Sequence, residues 1–194
     1  MPSHSPNLTI SVYGHSSANP ESVADLLGAK HLAHADGSED VAIFVINPNT
    51  GVDEQTVSNW NALDDFQTPR IVVVTELNSG EGDFDDAVLL ANRLFEQVVT
   101  PYLVLHDDSG APCGLISLET QDIIDYSTTP AKTIPSDPEH KTLVSEFVEE
   151  YASHLAIMGE GAFAAGLLFP AIPLLIEKGI GVDIIKKYLN EISQ

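Results

Sequence analysis

Short runs of apolar and β-branched residues recur along the chain at the length of a strand. Val41–Ile46 and Ile71–Thr75 are nearly continuous apolar stretches, while Leu8–Tyr13 alternates apolar with small polar residues. Continuous apolar runs are typical of strands that are covered on both faces of a parallel sheet. Together with a further run at Leu167–Ile172, this pattern predicts a mainly parallel core sheet of about four strands.

Amphipathic segments separate these runs and predict the helices that cover the sheet. The first helix is predicted to begin at Pro20, with Asn19 as its N-cap, and to end near Gly28. Further helices are predicted at Asp53–Phe66, Phe84–Gln97, Glu139–Ile157 and Gly181–Ile192. Alternation of apolar runs with helices indicates an α/β fold.

The segment between residues 80 and 158 has a different texture, with short strands separated by polar turns. Strands are predicted at Tyr102–Leu105, Leu115–Leu118 and Ile123–Tyr126, followed by a loop rich in Pro, Ser and Thr at Ser127–Pro138. In the helix that follows, Leu143, Phe147 and Tyr151 stand at helical spacing. This texture predicts an α+β subdomain, residues 80–158, inserted into an α/β core formed by residues 1–79 and 159–194.

The excess of acidic side chains limits which classes of molecule are expected to bind the protein directly. The 194 residues carry 29 acidic and 8 basic side chains, for a net charge of −21. Such a surface repels phosphate backbones and acidic membranes, so neither nucleic acid nor a membrane is expected as a direct partner. The charge has two remaining interpretations, which are solubility and a docking surface for a basic protein. The oligomeric state stays open.

The cysteine content and the N-terminal segment bear on the compartment. Cys113 is the single cysteine, which excludes an internal disulfide and fits a reducing, cytoplasmic environment. Its thiol is interpreted as structural rather than nucleophilic. Met1–Pro6 is a polar leader that is expected to be frayed, and no signal peptide is expected.

A collinear series of short motifs runs from about Asn7 to Ile192. The series comprises Gly14–Ser22, Val41–Thr56, Thr68–Asn78, Asp83–Asp85, Gly114–Ile116, Leu168–Pro170 and Lys178–Val182. In this order the motifs resemble the GTPase domain of elongation factor G, in particular the divergent elongation factor G-like proteins of actinobacteria, in the translational GTPase superfamily. The resemblance implies a truncated P-loop GTPase-like fold with the inserted subdomain of that family.

The phosphate loop of the resembling family is degenerate in this sequence. The pattern G-x-x-x-x-G-K-[ST] cradles phosphates with backbone amides and neutralises them with its lysine. Only the first glycine, Gly14, is kept, because Asn19 and Pro20 stand at the later glycine and lysine positions. Ser22 lies close to the metal-binding hydroxyl position, where without the lysine it is interpreted as a first-turn helix residue. Proline also removes an amide donor.

The residues that read guanine and hold the metal are missing as well. Thr75–Asn78 replaces N-K-x-D, so Glu76 stands where the lysine belonged and Asn78 offers one carbonyl acceptor. Leu174–Ile176 replaces a small Ser-Ala turn. The gap after Gly28 is too short for the first switch and its strands. His31 and His34, which lie in this gap, are interpreted as surface histidines on a truncated helix.

These losses predict a protein with no catalytic residue, no metal site and no cofactor. We expect a non-catalytic pseudo-GTPase that acts as an interaction or regulatory protein. The first alternative is a nucleotide-binding regulator that uses vestigial contacts from Gly14, Ser16, Ser17 and Asn78. The second alternative is an enzyme, either a GTPase or an enzyme of unrelated chemistry. Any cavity is expected at the carboxyl ends of the strands, beside Gly14 and Thr75 and partly filled by Leu174 and Leu175.

The inserted subdomain is the expected working surface. In the resembling family it contacts a ribosomal stalk protein, which implies a protein partner associated with the ribosome. Exposed strand edges can pair with a partner's strand, and charged side chains can steer it. The acids assigned to this role are Asp107, Asp108, Asp122 and Asp125. The alternative is that they only solubilise the edge. A further acidic cluster at Asp83, Asp85 and Asp86 is interpreted as a first helical turn rather than a cation site.

Overall fold

The computed structural model describes residues 7–194, so the predicted frayed leader Met1–Pro6 lies outside the described residues. The strands are β1 (Ile10–Tyr13), β2 (Lys30–His31), β3 (Val41–Ile46), β4 (Arg70–Val74), β5 (Tyr102–His106), β6 (Pro112–Ser117), β7 (Asp122–Asp125), β8 (Lys132–Pro135) and β9 (Ala171–Pro173). The helices are α1 (Pro20–Leu27), α2 (Glu54–Ala62), α3 (Phe84–Leu94), α4 (Pro138–Leu143), α5 (Ser145–Met158) and α6 (Val182–Ile192).

The first sheet is parallel throughout and has five strands in the order β2-β1-β3-β4-β9. Its central strands pair in register, with Ile43 opposite both Val12 and Ile71. All residues of β3 and β4 are buried, because helices and loops cover both faces of the sheet. The predicted α/β class with a mainly parallel sheet is therefore confirmed.

The edge strand β2 is absent from the sequence prediction. Gly28 ends α1 with a φ of 64°, which returns the chain alongside β1, and the Leu32 amide then donates to the Val12 carbonyl at 3.1 Å. His31 consequently lies on an edge strand and His34 in a loop, so both are surface histidines but neither lies on a helix.

The last core strand is shorter than the predicted Leu167–Ile172 run. Residues 160–166 form consecutive turns, and Gly166 adopts a φ of 69° at a point where a Cβ would lie 1.9 Å from the Gln67 carbonyl oxygen. Phe169 and Ala171 then hydrogen bond to Val99 before β9 pairs with β4. The glycine-containing segment before β9 therefore forms a compact turn, and of the predicted run only residues 171 and 172 belong to the strand.

The second sheet is antiparallel, with its four strands in sequential order β5-β6-β7-β8. The strand β8 lies within Ser127–Pro138, so the prediction of a loop there is wrong for these four residues. All four are exposed, and an edge strand with no buried face leaves no alternating pattern in the sequence. This α/β arrangement with a separate antiparallel unit agrees with a GTPase-like domain carrying an insert.

The predicted helix Glu139–Ile157 is two helices. Val144, with φ −99° and ψ 2°, ends α4 and precedes α5, so the chain does not continue as one straight helix. Leu143 is 70% exposed and Phe147 45% exposed, whereas Tyr151 is buried. Of the three apolar residues predicted to share one helix face, only Tyr151 is therefore in the core.

Two apolar clusters form the core, one on each face of the parallel sheet. The first joins β1, β3 and β4 to α6 and extends into the antiparallel sheet through Leu115 and Ile116. The second contains Phe44 and Trp60 and includes three residues of α3, although α3 lies in the 80–158 range of the predicted insert. The insert boundary at residue 80 remains a prediction. None of the helices within residues 7–194 is long and apolar enough to cross a membrane.

A buried cation stands within the second cluster. The Arg70 guanidinium lies 4.5 Å from the ring centres of both Trp60 and Phe169, in cation–π geometry. Its Nη1 atom donates to the Trp60 carbonyl at 2.9 Å and to the half-exposed Asp64 carboxylate at 2.6 Å. Trp60, the single tryptophan of the chain, also stacks on Phe95 with ring centres 4.5 Å apart.

Candidate functional site

Three loops meet where the strands of the parallel sheet end. They are residues 14–19 after β1, residues 47–51 after β3 and residues 75–82 after β4, and we call this region the loop end. Ligands of open α/β sheets bind at the carboxyl ends of the strands. The loop end is therefore the expected location of the predicted nucleotide contacts.

Gly14 has a packing role that requires no phosphate. A Cβ atom at this position would lie 2.6 Å from the Val45 carbonyl oxygen and 3.3 Å from the Val45 Cβ. These contacts are too short for any larger residue unless the backbone of β3 moves. The one residue that the phosphate-loop pattern keeps is thus required by the approach of the first loop to β3.

The backbone amides of the first loop are used inside the loop. Ser16–Ala18 forms a single 3₁₀ turn, and the His15 side chain caps it. The donors are Ser17 N to His15 Nδ1 at 3.2 Å, Ala18 N to His15 O at 2.9 Å and Asn19 N to Ser16 O at 3.1 Å. A phosphate loop works because successive amides point at the ligand. Here the three amides have protein acceptors, and the next residue is a proline.

Side chains from the neighbouring loops fix the carbonyl side of the same turn. The Asn47 amide donates to the Ser17 carbonyl at 2.9 Å, and the Thr75 hydroxyl donates to the Ala18 carbonyl at 2.7 Å. The Ser17 hydroxyl lies 2.8 Å from that of Thr50. The first loop is thereby anchored to the second and third loops by polar contacts, two of which are buried or partly buried.

A pair of asparagines, Asn47 and Asn49, links the second loop to the third. Asn47 Oδ1 accepts from the Asn49 amide at 2.8 Å. The Asn49 side chain donates to the Ser79 carbonyl at 2.8 Å and accepts from the Gly82 amide at 2.7 Å. Sequence reasoning missed this asparagine pair, because Asn47–Gly51 carries only the signature of a turn.

A cavity of about 450 Å³ opens beside the loop end, close to the predicted location. Thr75, Asn78, Leu174 and Leu175 line it, as do Asn19 and Ser22 at the start of α1. Gly14, Ser16 and Ser17 do not line it. The structure thus separates the four residues that were predicted as nucleotide contacts, since Asn78 lines the cavity and the other three belong to the loop beside it.

Two glutamates give this cavity a negative lining. Glu76, with a φ of 57°, accepts from the Asn19 side chain, so Asn19 stands at the N-cap position without capping α1 through its side chain. Asn78 donates its amide to Glu177 Oε1, which follows β9. The carbonyl of Asn78 is a guanine acceptor in principle, but its amide is held by a carboxylate that also lines the cavity.

The acids assigned to partner binding lie at two different ends of the antiparallel sheet. Asp107 and Asp108 occupy the β5–β6 turn, and Asp125 pairs with Gly114 near the start of β6, at the same end. Asp122 pairs with Pro135 at the opposite end. The strand β7 that carries Asp122 and Asp125 is internal, so the edge strands of this sheet are β5 and β8.

Asp107 and Asp125 are used as turn acceptors. Asp107 Oδ1 accepts from the Ser109 hydroxyl at 2.6 Å and from the Ala111 amide at 3.1 Å, and these hydrogen bonds lower the pKa of its carboxyl. Hydrogen bonds from Ser127 likewise lower the pKa of Asp125. Lys178 lies near Asp107 and donates to the Pro112 carbonyl at 2.8 Å. Part of the negative field at this end is therefore already compensated.

The other groups considered are the acidic cluster at the start of α3 and the single cysteine. Asp83 and Asp86 form a capping box on α3, with reciprocal bonds of 2.9 and 3.1 Å, which supports the first-turn interpretation. Partial burial raises the pKa of the Cys113 thiol. Across residues 7–194, no group of three or more His, Cys, Asp or Glu side chains is placed to hold a metal ion.

Sequence comparison relates the chain to translation factors. The elongation factor G-like protein of Mycobacterium tuberculosis (strain H37Rv) is 30% identical over 166 residues, which cover 73% of this chain and 22% of that protein. The elongation factor G-like protein of Thermotoga maritima is 23% identical over 175 residues, covering 80% and 25%. A mitochondrial ribosome-releasing factor 2 of Anopheles gambiae is 26% identical over 82 residues, covering 42% of this chain and 11% of that protein. No protein-family model matches.

A solved structure supports the fold. A crystal structure of a Thermus thermophilus protein superposes with a TM-score of 0.68 at 22% identity, over 80% of this chain and 27% of that one. This chain spans about a quarter or less of the length of the sequence relatives named above. It is therefore a distant relative of the elongation factor G-like proteins and a domain related to that of the translational GTPases.

Proposed function

We propose that the chain is a non-catalytic pseudo-GTPase domain that acts in the cytoplasm as an interaction or regulatory protein connected with translation. The observation that carries the proposal is the closed first loop. The amides of residues 17–19 donate to His15 and Ser16, and Pro20 follows them without an amide donor. A phosphate entering this loop would have to break those bonds, and no lysine stands at that position to compensate.

The charge at the base side of the cavity supports the same conclusion. Glu76 and Glu177 both line the cavity beside Asn78, and the chain has a net charge of −21. A nucleoside diphosphate or triphosphate carries several negative charges of its own. Bringing it between two carboxylates, without a lysine at the phosphate-loop position, is electrostatically unfavourable.

The proposed partner is a protein, and its association with the ribosome is suggested by the relatives, which are elongation factor G-like proteins and a ribosome-releasing factor. The chain covers only a small part of each of them. We therefore propose only that the domain serves as a binding scaffold. Its function would lie in sites on its surface rather than in the cavity at the loop end.

Calorimetric titration with GTP, GDP and ATP, with and without Mg²⁺, tests the proposal. We expect no binding heat at about 100 µM nucleotide, a level that corresponds to only about −5.5 kcal/mol. A micromolar dissociation constant for GDP would overturn the proposal.

A second titration asks whether loop closure or charge prevents binding. The double variant Glu76→Gln, Glu177→Gln removes the negative charge from the cavity, and Pro20→Lys supplies the missing cation. We expect neither to bind GDP, because the amides of residues 17–19 remain occupied. If the double variant bound GDP, charge alone would explain why the unmodified protein does not bind nucleotide. That result would contradict the role given to the closed loop.

The alternative function is a nucleotide-binding regulator. It is favoured by one observation, the persistence of a cavity of about 450 Å³ beside Asn78. If nucleotide binding is measured and Asn78→Ala abolishes it, this alternative replaces the pseudo-GTPase proposal. The cavity's wall of Leu174 and Leu175 also predicts that such binding would show little preference for guanine over adenine.

A further inference from the structure

An apolar groove lies between α3, α5 and the edge strand β5, and none of its lining residues belongs to the loop end. Its main cavity has a volume of about 340 Å³, and a smaller hollow of about 160 Å³ shares Asp85, Leu103 and Phe147 with it. The two are therefore parts of one groove. Its apolar lining consists mainly of Val88, Leu89, Leu103, Leu118, Phe147 and Tyr151.

The groove presents apolar side chains to solvent. Leu89 on α3 is 65% exposed and Phe147 on α5 is 45% exposed, so the two helices bring large apolar groups to the groove's margin. Tyr151 and Leu118 close its floor and are buried. A concave apolar surface of this kind, rimmed by polar residues, is a feature of protein interaction sites.

The rim of the groove is acidic on both sides. Asp85 belongs to α3 and Glu150 to α5, and each lines the main cavity. Within the described part of the chain, residues 7–194, the groove's lining contains no lysine or arginine. Two histidines also line it, namely His154, which lies 3.2 Å from Gln97 and 3.8 Å from Glu150, and His106 in the smaller hollow.

We propose that this groove binds a basic amphipathic helix of a partner protein. The apolar face of the helix would lie on Leu103, Leu118 and Tyr151, and lysine or arginine side chains on its flanks would reach Asp85 and Glu150. The proposal deepens the interaction role proposed above and rests on it.

Charge and shape select this occupant over two others. A second copy of the chain would bring a net charge of −21 against an acidic rim, which is unfavourable. An extended peptide adding to β5 would use backbone hydrogen bonds at a strand edge. The floor of this groove is instead built of side chains from α3, β5, the residue after β6, and α5, which suits side-chain anchors at helical spacing.

Fluorescence anisotropy with a labelled synthetic helix tests the proposal. The probe is a peptide of about 14 residues, or four turns, with leucine at helical spacing on one face and lysine elsewhere. The matched peptide has glutamate in place of every lysine. We expect saturable micromolar binding of the lysine peptide that weakens as salt is raised, and no binding of the glutamate peptide.

Two matched pairs of variants decide whether binding occurs at the groove. Leu89→Glu and Glu150→Lys change groove residues, whereas Ile157→Glu and Glu149→Lys introduce the same residues at exposed positions on α5 outside it. We expect the groove variants to weaken binding by about tenfold or more and the controls by less than about twofold. Equal weakening within each pair would mean that the peptide senses only the acidic surface, and the proposal would be wrong.

Two further measurements keep the test decisive. Amide chemical-shift changes in the unmodified protein should centre on residues 85–103 and 147–154, and changes confined to another surface would overturn the proposal. A peptide of the same composition with a central proline should bind at least about tenfold more weakly, and equal binding would exclude a helical occupant. Nucleotide titration tests the loop end and peptide binding tests the groove. The pseudo-GTPase proposal and the groove proposal can therefore be contradicted independently.

Discussion

The loop end of the parallel sheet and the groove between α3, α5 and β5 differ in how their binding groups are used. At the loop end, backbone amides and carbonyls that could meet a ligand already have partners in His15, Asn47 and Thr75. In the groove, large apolar side chains such as Leu89 and Phe147 remain exposed between two acids. Both surfaces adjoin the same apolar cluster, which contains Leu174 and Leu175 of the loop-end cavity and Leu118 and Tyr151 of the groove.

The difference has a simple physical basis. Buried backbone polar groups must be hydrogen bonded, so a loop that gives up its ligand has to find internal partners. Apolar groups at a groove have no such requirement and can remain exposed at a modest cost. A loop whose amides bond within the protein therefore offers few donors to a ligand even though a cavity opens beside it, whereas the apolar side chains of the groove remain available to a partner.

The largest effect is expected for Gly14→Ala. The new methyl would lie 2.6 Å from the Val45 carbonyl oxygen, so the first loop or β3 must move. We expect a loss of about 3 kcal/mol in the free energy of unfolding, measured by urea denaturation without ligand. A loss below about 0.5 kcal/mol would show that Gly14 is not held by packing, and a ligand-related role would have to be considered again.

Asn47→Ala should have a smaller effect on the same end of the molecule. Its buried side chain bonds to the Ser17 carbonyl and the Asn49 amide, and both groups would lose their partner. We expect a loss of about 1–2 kcal/mol in unfolding free energy. The control is Asn61→Ala at an exposed position on α2, which should cost less than about 0.5 kcal/mol. Equal losses would mean that the asparagine pair does not hold the loops together.

A groove substitution should cost still less. Leu89→Gln replaces a side chain that is 65% exposed, so little apolar burial is lost. We expect a change of less than about 0.5 kcal/mol in unfolding free energy, measured in the same urea series. A cost of about 2 kcal/mol or more would indicate that the groove is closed over Leu89 in solution, which would contradict the contrast between the two surfaces.

The smallest effect concerns Asp107 and depends on pH. Hydrogen bonds from Ser109 and Ala111 lower the pKa of Asp107 in the folded protein. A lowered folded pKa contributes stability above the unfolded pKa of about 4, and this contribution is lost as pH falls through the folded value. Asp107→Asn should therefore be slightly less stable than the unmodified protein at pH 7, and the two should converge in strong acid. Parallel stability curves across this pH range would contradict the assigned bonds.

Much of the fold follows from local pattern. The buried strands β3 and β4 are visible as apolar runs, because both of their faces are covered. Helix starts such as Pro20 and Asp83 carry their own signals in the chain. The departure of Gly14–Ser22 from the phosphate-loop pattern is equally visible, since that pattern consists of particular residues at fixed positions.

The rest depends on contacts between distant segments. The edge strand β8 has no buried face, so its residues resemble those of a loop. The bonds of Asn47 and Asn49 join residues about 30 positions apart, which no local pattern encodes. The groove takes one stripe each from α3 and α5, and each stripe alone resembles the inner face of an ordinary amphipathic helix. Only the packing shows that these stripes remain partly exposed.

The distribution of aromatic residues gives the two sides of the molecule separate optical signals. The only indole, Trp60, lies under the Arg70 guanidinium on one face of the parallel sheet. Four of the five tyrosines pack on the other face, where the antiparallel sheet and α6 join the core; they are Tyr102, Tyr126, Tyr151 and Tyr188. Burial raises the pKa of Tyr151 to about 12, so its phenol stays neutral and its absorbance steady through ordinary buffers. Indole emission and phenol absorbance recorded in one melt thus report whether both sides lose their structure together.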